Sequence, residues 1–165
     1  MIKKLIFIAV AVAALFSISS CGSLTKVSDA EKAAIAKAIQ KDDFKIVINN
    51  VSAAKMPMMS NAYSDTHTIT FKNGEINGTL PYFGEVTGMA PMNPSDGGVN
   101  FDHYKAKYKA VKSPKGDFII AFDAKLSSDN WKVSIEISDS GYVTMRMNGL
   151  NRTPITYRGE VVISE

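Results

Sequence analysis

Two histidines, one cysteine and eight methionines are the side chains of this sequence best suited to chemistry. His67 sits in Asp65-Thr66-His67 and His103 in Asp102-His103. Hydrolysis by a nucleophile needs that nucleophile, a base and a group that orients the base, all converging in space. Residues adjacent in sequence cannot make that triad by themselves. Ser60 or Ser64 can approach His67, but no Gly-x-Ser-x-Gly elbow or His-Glu-x-x-His pair exists to position them. Nor do the sixteen acidic residues single out a carboxylate pair for glycoside cleavage. The chain therefore reads as no enzyme, with no cofactor expected. Asp96, Asn100 and Asp102 have an even spacing that suits calcium, yet the twelfth position is Lys107 where an EF-type loop needs a bidentate glutamate. Met56, Met58, Met59, Met89, Met92, Met145 and Met147 would suit a soft cuprous ion. Methionine equally fills irregular gaps in a core.

Aromatic side chains offer a second kind of chemistry, stacking. In Leu80-Pro81-Tyr82-Phe83-Gly84 the chain must turn, and the two rings can line the mouth of a barrel for an apolar or sugar ligand, or plug its end. The following stretch, Glu85 to Asp102, is rich in Gly, Pro, Asn and Met and reads as a long loop, where function concentrates. The expected ligand-binding residues are Tyr82, Phe83, Phe101, Tyr108, Phe122 and Trp131.

Cys21 has a different role. Lys3 and Lys4 precede an unbroken apolar run from Leu5 to Phe16, and twelve helical residues cover only about 18 Å of a roughly 30 Å hydrocarbon core. That is the pattern of a secretory signal. Ile18-Ser19-Ser20-Cys21 then resembles a bacterial lipobox, with Ile18 in place of the commoner leucine. The resemblance implies cleavage after Ser20, acylation of Cys21 and a protein that sits on a membrane without spanning it. Gly22 follows the cysteine where aspartate would signal inner-membrane retention, and no acidic run follows. The expected location is thus the bacterial cell envelope, lipid-anchored on the outer membrane and facing the periplasm.

The remaining elements must fold on their own. A chain of 165 residues that is 45% hydrophobic and 21% charged is no disordered tail, collagen-like repeat or multi-span membrane protein. Without residues 1–20 and their two lysines, 145 residues remain with 17 basic against 16 acidic side chains. Near-neutral charge gives no footprint for nucleic acid. Residues 21–41 read as a tether and short helix, since Ser28-Asp29-Ala30-Glu31 has the form of a capping box before an alanine-rich stretch to Gln40. This helix is either a spacer or a lid. Residues 42–165 read as the β-barrel domain, with the apolar period changing to two from Phe44 onward. Strands are expected at Phe44–Ser52, Thr66–Lys72, Glu75–Leu80, Tyr104–Lys112, Asp117–Leu126, Trp131–Ser138, Tyr142–Asn148 and Ile155–Ser164. Asn73-Gly74 is a hairpin signal, and Ser113 to Gly116, Ser127 to Asn130 and Asp139 to Gly141 supply further turns. Phe118, Ile120, Phe122, Ala124 and Leu126 share one face, while Lys105, Lys107 and Lys109 form an outward stripe that suits an acidic partner or simply keeps an edge soluble. The fold class expected is all-β: about eight antiparallel strands in a small lipocalin-like up-and-down barrel, with one N-terminal helix.

Leu80 to Gly84, Asp96-Gly97-Gly98-Val99-Asn100-Phe101, Ser140-Gly141-Tyr142, Asn151-Arg152 and Tyr157-Arg158-Gly159 together resemble a family of uncharacterised bacterial lipoproteins known only as a domain of unknown function. The likeness runs from about Ile35 to the C-terminus, with Glu85 where the family commonly carries a basic residue. It implies a compact lipocalin-like β domain on a lipid anchor and transfers no activity. The expectation is an envelope lipoprotein that binds a small apolar ligand or a protein partner. The alternative is a purely structural envelope protein with a filled barrel, and copper binding is the third.

Overall fold

A computed structural model describes residues 27–53, 59–60, 67–87, 98–127 and 129–163, with the backbone alone at 59–60. The leader and Cys21, Asp96, Ser64, Met56, Met58, Met89 and Met92 lie outside the described residues.

Helix α1 spans Asp29–Lys41 and starts where its capping residues require. The Ser28 hydroxyl accepts from the Glu31 backbone N–H at 3.2 Å and the Glu31 carboxylate accepts from the Ser28 N–H at 2.8 Å. It ends at Asp42, a left-handed residue at φ 55°. Ile35, Ala38 and Ile39 are buried in the common core, so the helix is part of the domain rather than a spacer beside it. Lys32 adds an ion pair to Asp139 at 2.6 Å, tying the helix to a strand turn.

The strands are β1 (Asp43–Ala53), β2 (Met59–Ser60), β3 (Thr68–Lys72), β4 (Glu75–Pro81), β5 (Gly98–Lys105), β6 (Val111–Lys112), β7 (Phe118–Lys125), β8 (Asn130–Ile137), β9 (Tyr142–Gly149) and β10 (Ile155–Val162). Nine form one antiparallel path in the order β5-β4-β3-β1-β10-β9-β8-β7-β6, and β2 pairs with β1 off that path. The sheet curls into a half-barrel.

Nine strands replace the expected eight because part of the expected loop is a strand. Gly98–Lys105 pairs with β4, burying Val99 and Phe101 completely on one face. Its Gly and Asn content hid that alternation. The expected strand Tyr104–Lys112 is correspondingly divided: it contributes the end of β5, an unpaired stretch at 106–110, and β6, which makes only the pairs Val111↔Ile119 and Lys112↔Phe118. Alternation survives without the ladder, since Tyr104, Ala106, Tyr108 and Ala110 are half-buried while Lys105, Lys107 and Lys109 are exposed.

The consequence is a barrel left open at one seam. Every other neighbouring pair of an up-and-down barrel is present, including β1 with β10, but β5 and β7 are bridged by side chains. The Tyr104 hydroxyl donates to the Asp123 carbonyl at 3.2 Å and accepts from the Lys125 N–H at 3.1 Å, satisfying two backbone groups on the free edge of β7. Tyr108 closes the rest, its ring 5.7 Å from Phe122 and 5.9 Å from Phe71.

The interior is filled. Phe44 and Phe71 stack at 4.7 Å, and the inward residues of β7 and β8 alternate with exposed ones without a break, a pattern β9 repeats with Thr144 half-buried. Met145 and Met147 belong to this core at 0% exposure, where they fill space rather than face a surface. Asn73 and Gly74 both adopt positive φ between Lys72 and Glu75, the two-residue turn that their identities require.

Candidate functional site

Helix α1 packs at the end of the half-barrel that carries the Asp139 to Gly141 turn, where Ile35 lies against Gly141. The opposite end is built differently. After β4 the chain crosses this end as a strap, with Val86 bridging Arg152, the Thr87 N–H donating to the Asn151 carbonyl at 2.7 Å and the Thr153 N–H to the Glu85 carbonyl at 3.0 Å. Tyr82 is buried beneath it. Its hydroxyl lies 3.0 Å from both the Glu85 and Thr153 carbonyls and 3.2 Å from the Thr153 Oγ1. A second tyrosine, Tyr157, donates to the Pro81 carbonyl at 2.8 Å from across the end. Burial pushes the Tyr157 pKa above its ordinary value, so it stays a donor.

Tyr82 meets Trp131 at 5.6 Å in an edge-on arrangement, and the Arg152 guanidinium lies 4.9 Å from the Tyr82 ring centre. Asp129, a buried carboxylate at the same end, is fully engaged: it accepts from the backbone N–H groups of Asn130 at 2.7 Å and Asn151 at 2.9 Å. Of this cluster, Trp131 borders an open depression of about 340 Å³, together with Lys125, Lys132, Gly149 and Leu150. Gly149 lets the cluster pack closely against its backbone. A Cβ there would stand 3.1 Å from the indole of Trp131, 2.7 Å from Asp129 Oδ2 and 3.0 Å from the Arg152 Cβ.

The six residues expected to bind ligand therefore fall into two places. Tyr82 and Trp131 form the end cluster, with Phe83 half-buried beside the core. Phe101, Tyr108 and Phe122 belong to the seam, Phe101 packing on Tyr104 at 5.9 Å. Tyr108, Phe122 and Trp131 line three separate surface depressions rather than one cavity. The largest, about 830 Å³, runs along the seam between 106–109 and β7.

The sequence reading quoted Arg152 only within a family motif, with no role, and did not single out Asp42. Arg152 occurs in an ordinary Asn-Arg-Thr-Pro turn, and nothing in its spacing announces burial. Asp42 accepts from the Gly74 N–H and the Tyr108 hydroxyl, joining helix, hairpin and seam. Burial, then the Asp42 hydrogen bond, raises the Tyr108 pKa. His103, weighed as a base, sits at φ 47° in a bulge of β5 and pairs with Glu75 on the surface. Among the described residues no three His, Cys, Asp or Glu side chains converge to hold a metal, and no helix is long and apolar enough to cross a membrane.

A family model described as a domain of unknown function, DUF4251, matches residues 26–161. Among solved structures, the chain is similar to a DUF4251 family protein from Bacteroides eggerthii DSM 20697. The TM-score is 0.58 at 14% identity, over 80% of this chain and 87% of that one. At that identity the likeness carries the fold alone. No curated protein matches.

Proposed function

This chain belongs to the DUF4251 family, a domain of unknown function, and on that premise we propose that it is a lipid-anchored binding protein of the bacterial envelope. Cys21 carries the anchor, on the outer membrane facing the periplasm. The half-barrel takes a small ligand at the end opposite helix α1, outside its filled interior.

One observation carries this reading. Tyr82 is fixed by hydrogen bonds to the strap and packs on Trp131, which borders an open depression of about 340 Å³. Rigid, concave, mostly apolar surfaces with a few fixed polar groups are what small-molecule sites require. Native mass spectrometry of residues 22–165, purified from the envelope of its own cell, tests it. A reproducible non-covalent adduct released on unfolding is expected.

A bare mass favours the second reading, a structural envelope protein that uses only its surface. The filled interior supports that alternative: Phe44, Ile46, Phe71, Ile120, Ile135 and Tyr157 are all below 2% exposed. The anchor is tested separately. Cys21→Ala is expected to move the protein from the detergent phase to the aqueous phase in a partition assay, and a variant that stays with detergent removes the lipoprotein assignment.

A further inference from the structure

The seam that leaves the half-barrel open also leaves backbone without a ladder. β6 covers the outer edge of β7 only at Phe118 and Ile119, and the Tyr104 hydroxyl serves only the Asp123 carbonyl and the Lys125 N–H. Successive residues of a strand turn their backbone groups to opposite edges, so those of Ala121 share the outer edge with Asp123 and Lys125. Among the described residues no strand pairs with Ala121 on that edge. A side chain rather than a backbone spans the gap, so β5 and β7 stand further apart than the about 4.8 Å of paired strands. The depression of about 830 Å³ lies here, with Ala121 in its wall. Val111 and Ile119 line it while 59% and 42% exposed, and Lys107 and Lys109 line it from the other strand of the seam. Among the described residues no carboxylate lines it and neither lysine has an ion-pair partner. An open strand edge, exposed apolar side chains and unanswered positive charge thus share one groove.

We propose that the β5–β7 seam docks an extended acidic segment of a partner protein, which adds a strand to β7 at Ala121 and sets its carboxylates against Lys107 and Lys109. Main-chain hydrogen bonds give such a strand its register, and the lysines select its charge. Its alternate residues turn toward Tyr108 and Phe122, which already fill the interior, so these residues are small. The outward ones rest their stems on Ile119 and Ala121. Asp123, the one acid of β7, does not line the groove, so the carboxylates sit at the Ile119 end. A second copy of this chain fits less well, because pairing two β7 edges would bring both sets of lysines into one groove. This surface is separate from the Tyr82 and Trp131 end, and the proposal does not rest on ligand binding there.

Residues 22–165 contain the helix and every strand of the fold. They would be titrated into a fluorescein-labelled peptide of alternating glutamate and alanine, seven residues long, and into its lysine–alanine counterpart, with binding read by fluorescence polarisation. Saturable binding of the acidic peptide is expected, at least tenfold tighter than that of the basic one. The double variant Lys107→Glu, Lys109→Glu should weaken it tenfold or more, and because both side chains are exposed its melting temperature should stay that of the wild type. In the wild-type protein the Ala121 amide should exchange at least tenfold more slowly once the acidic peptide saturates. Should the double variant fail to fold, that exchange measurement decides alone. No saturable binding of the acidic peptide, equal binding of the two peptides, or binding that leaves Ala121 unprotected overturns the proposal. A concentration-dependent dimer in sedimentation that protects Ala121 without peptide overturns it too, and assigns the edge to a second copy.

Discussion

His103 and Glu75 show how a single pair couples this surface to pH. Their hydrogen bond, then their mutual attraction, raises the His103 pKa above 6.5, and the same contact lowers that of Glu75 below 4.5. The histidine's contribution to stability is present below pH 6.5 and fades as pH rises through the raised folded value. The glutamate's is present above pH 4.5 and fades as pH falls through the lowered one. The difference in melting temperature between the wild type and Glu75→Gln should therefore peak between pH 4.5 and 6.5 and shrink on either side. In the same variant the NMR-monitored pKa of His103 should fall. Asp42 matters more, because one carboxylate serves a backbone N–H and a tyrosine hydroxyl while its own backbone holds a left-handed conformation. Asp42→Ala should lose about 1–3 kcal/mol in urea unfolding, and Asp42→Asn, which keeps an acceptor and tolerates positive φ, should lose less.

At the scale of elements, helix α1 and the β5–β7 seam are the two departures from a plain meander. The helix contributes Ile35, Ala38 and Ile39 to the core and is started by a reciprocal cap. Ser28→Ala should lower stability by about 1 kcal/mol, measured by thermal unfolding, with the first helical turn exchanging its amide hydrogens faster. The seam depends on Tyr104. Tyr104→Phe keeps the ring on Phe101 but removes the hydroxyl that accepts from the Lys125 N–H across the gap. That amide should then exchange markedly faster than its neighbours in β7, with a stability loss near 1 kcal/mol. Unchanged protection at Lys125 would mean that the seam is closed by something other than this hydroxyl. Element bounds were largely legible beforehand. Alternation marked β7, β8 and β9 to within a residue or two at each end, Asn73-Gly74 marked its hairpin, and Ser28 with Glu31 marked the helix start. β5 was not legible, since Gly98 and Asn100 read as loop and only pairing with β4 reveals that Val99 and Phe101 share a buried face.

For the whole molecule, the order of strands separates what local patterns decide from what they leave open. Period-two alternation and turn chemistry act over a few residues, so they specified an all-β domain, its hairpins, its inward faces and the helix start. Whether the sheet closes depends on residues far apart in the chain. Tyr104 and Tyr108 meet β7 through contacts 14 to 21 residues away, and no spacing rule announces that 106–110 will alternate in exposure without forming a ladder. The candidate site is divided in the same way. The sequence marked Tyr82, a ring beside Pro81, and Trp131, on one face of an alternating strand, as aromatics worth placing. Only the tertiary structure put Arg152 on Tyr82, engaged Asp129 elsewhere and left two buried donors unpartnered. Burial and the pairing of polar groups are properties of the packed chain: a side chain's partners are fixed by which strands lie beside it, and the order of the residues alone does not contain that distance.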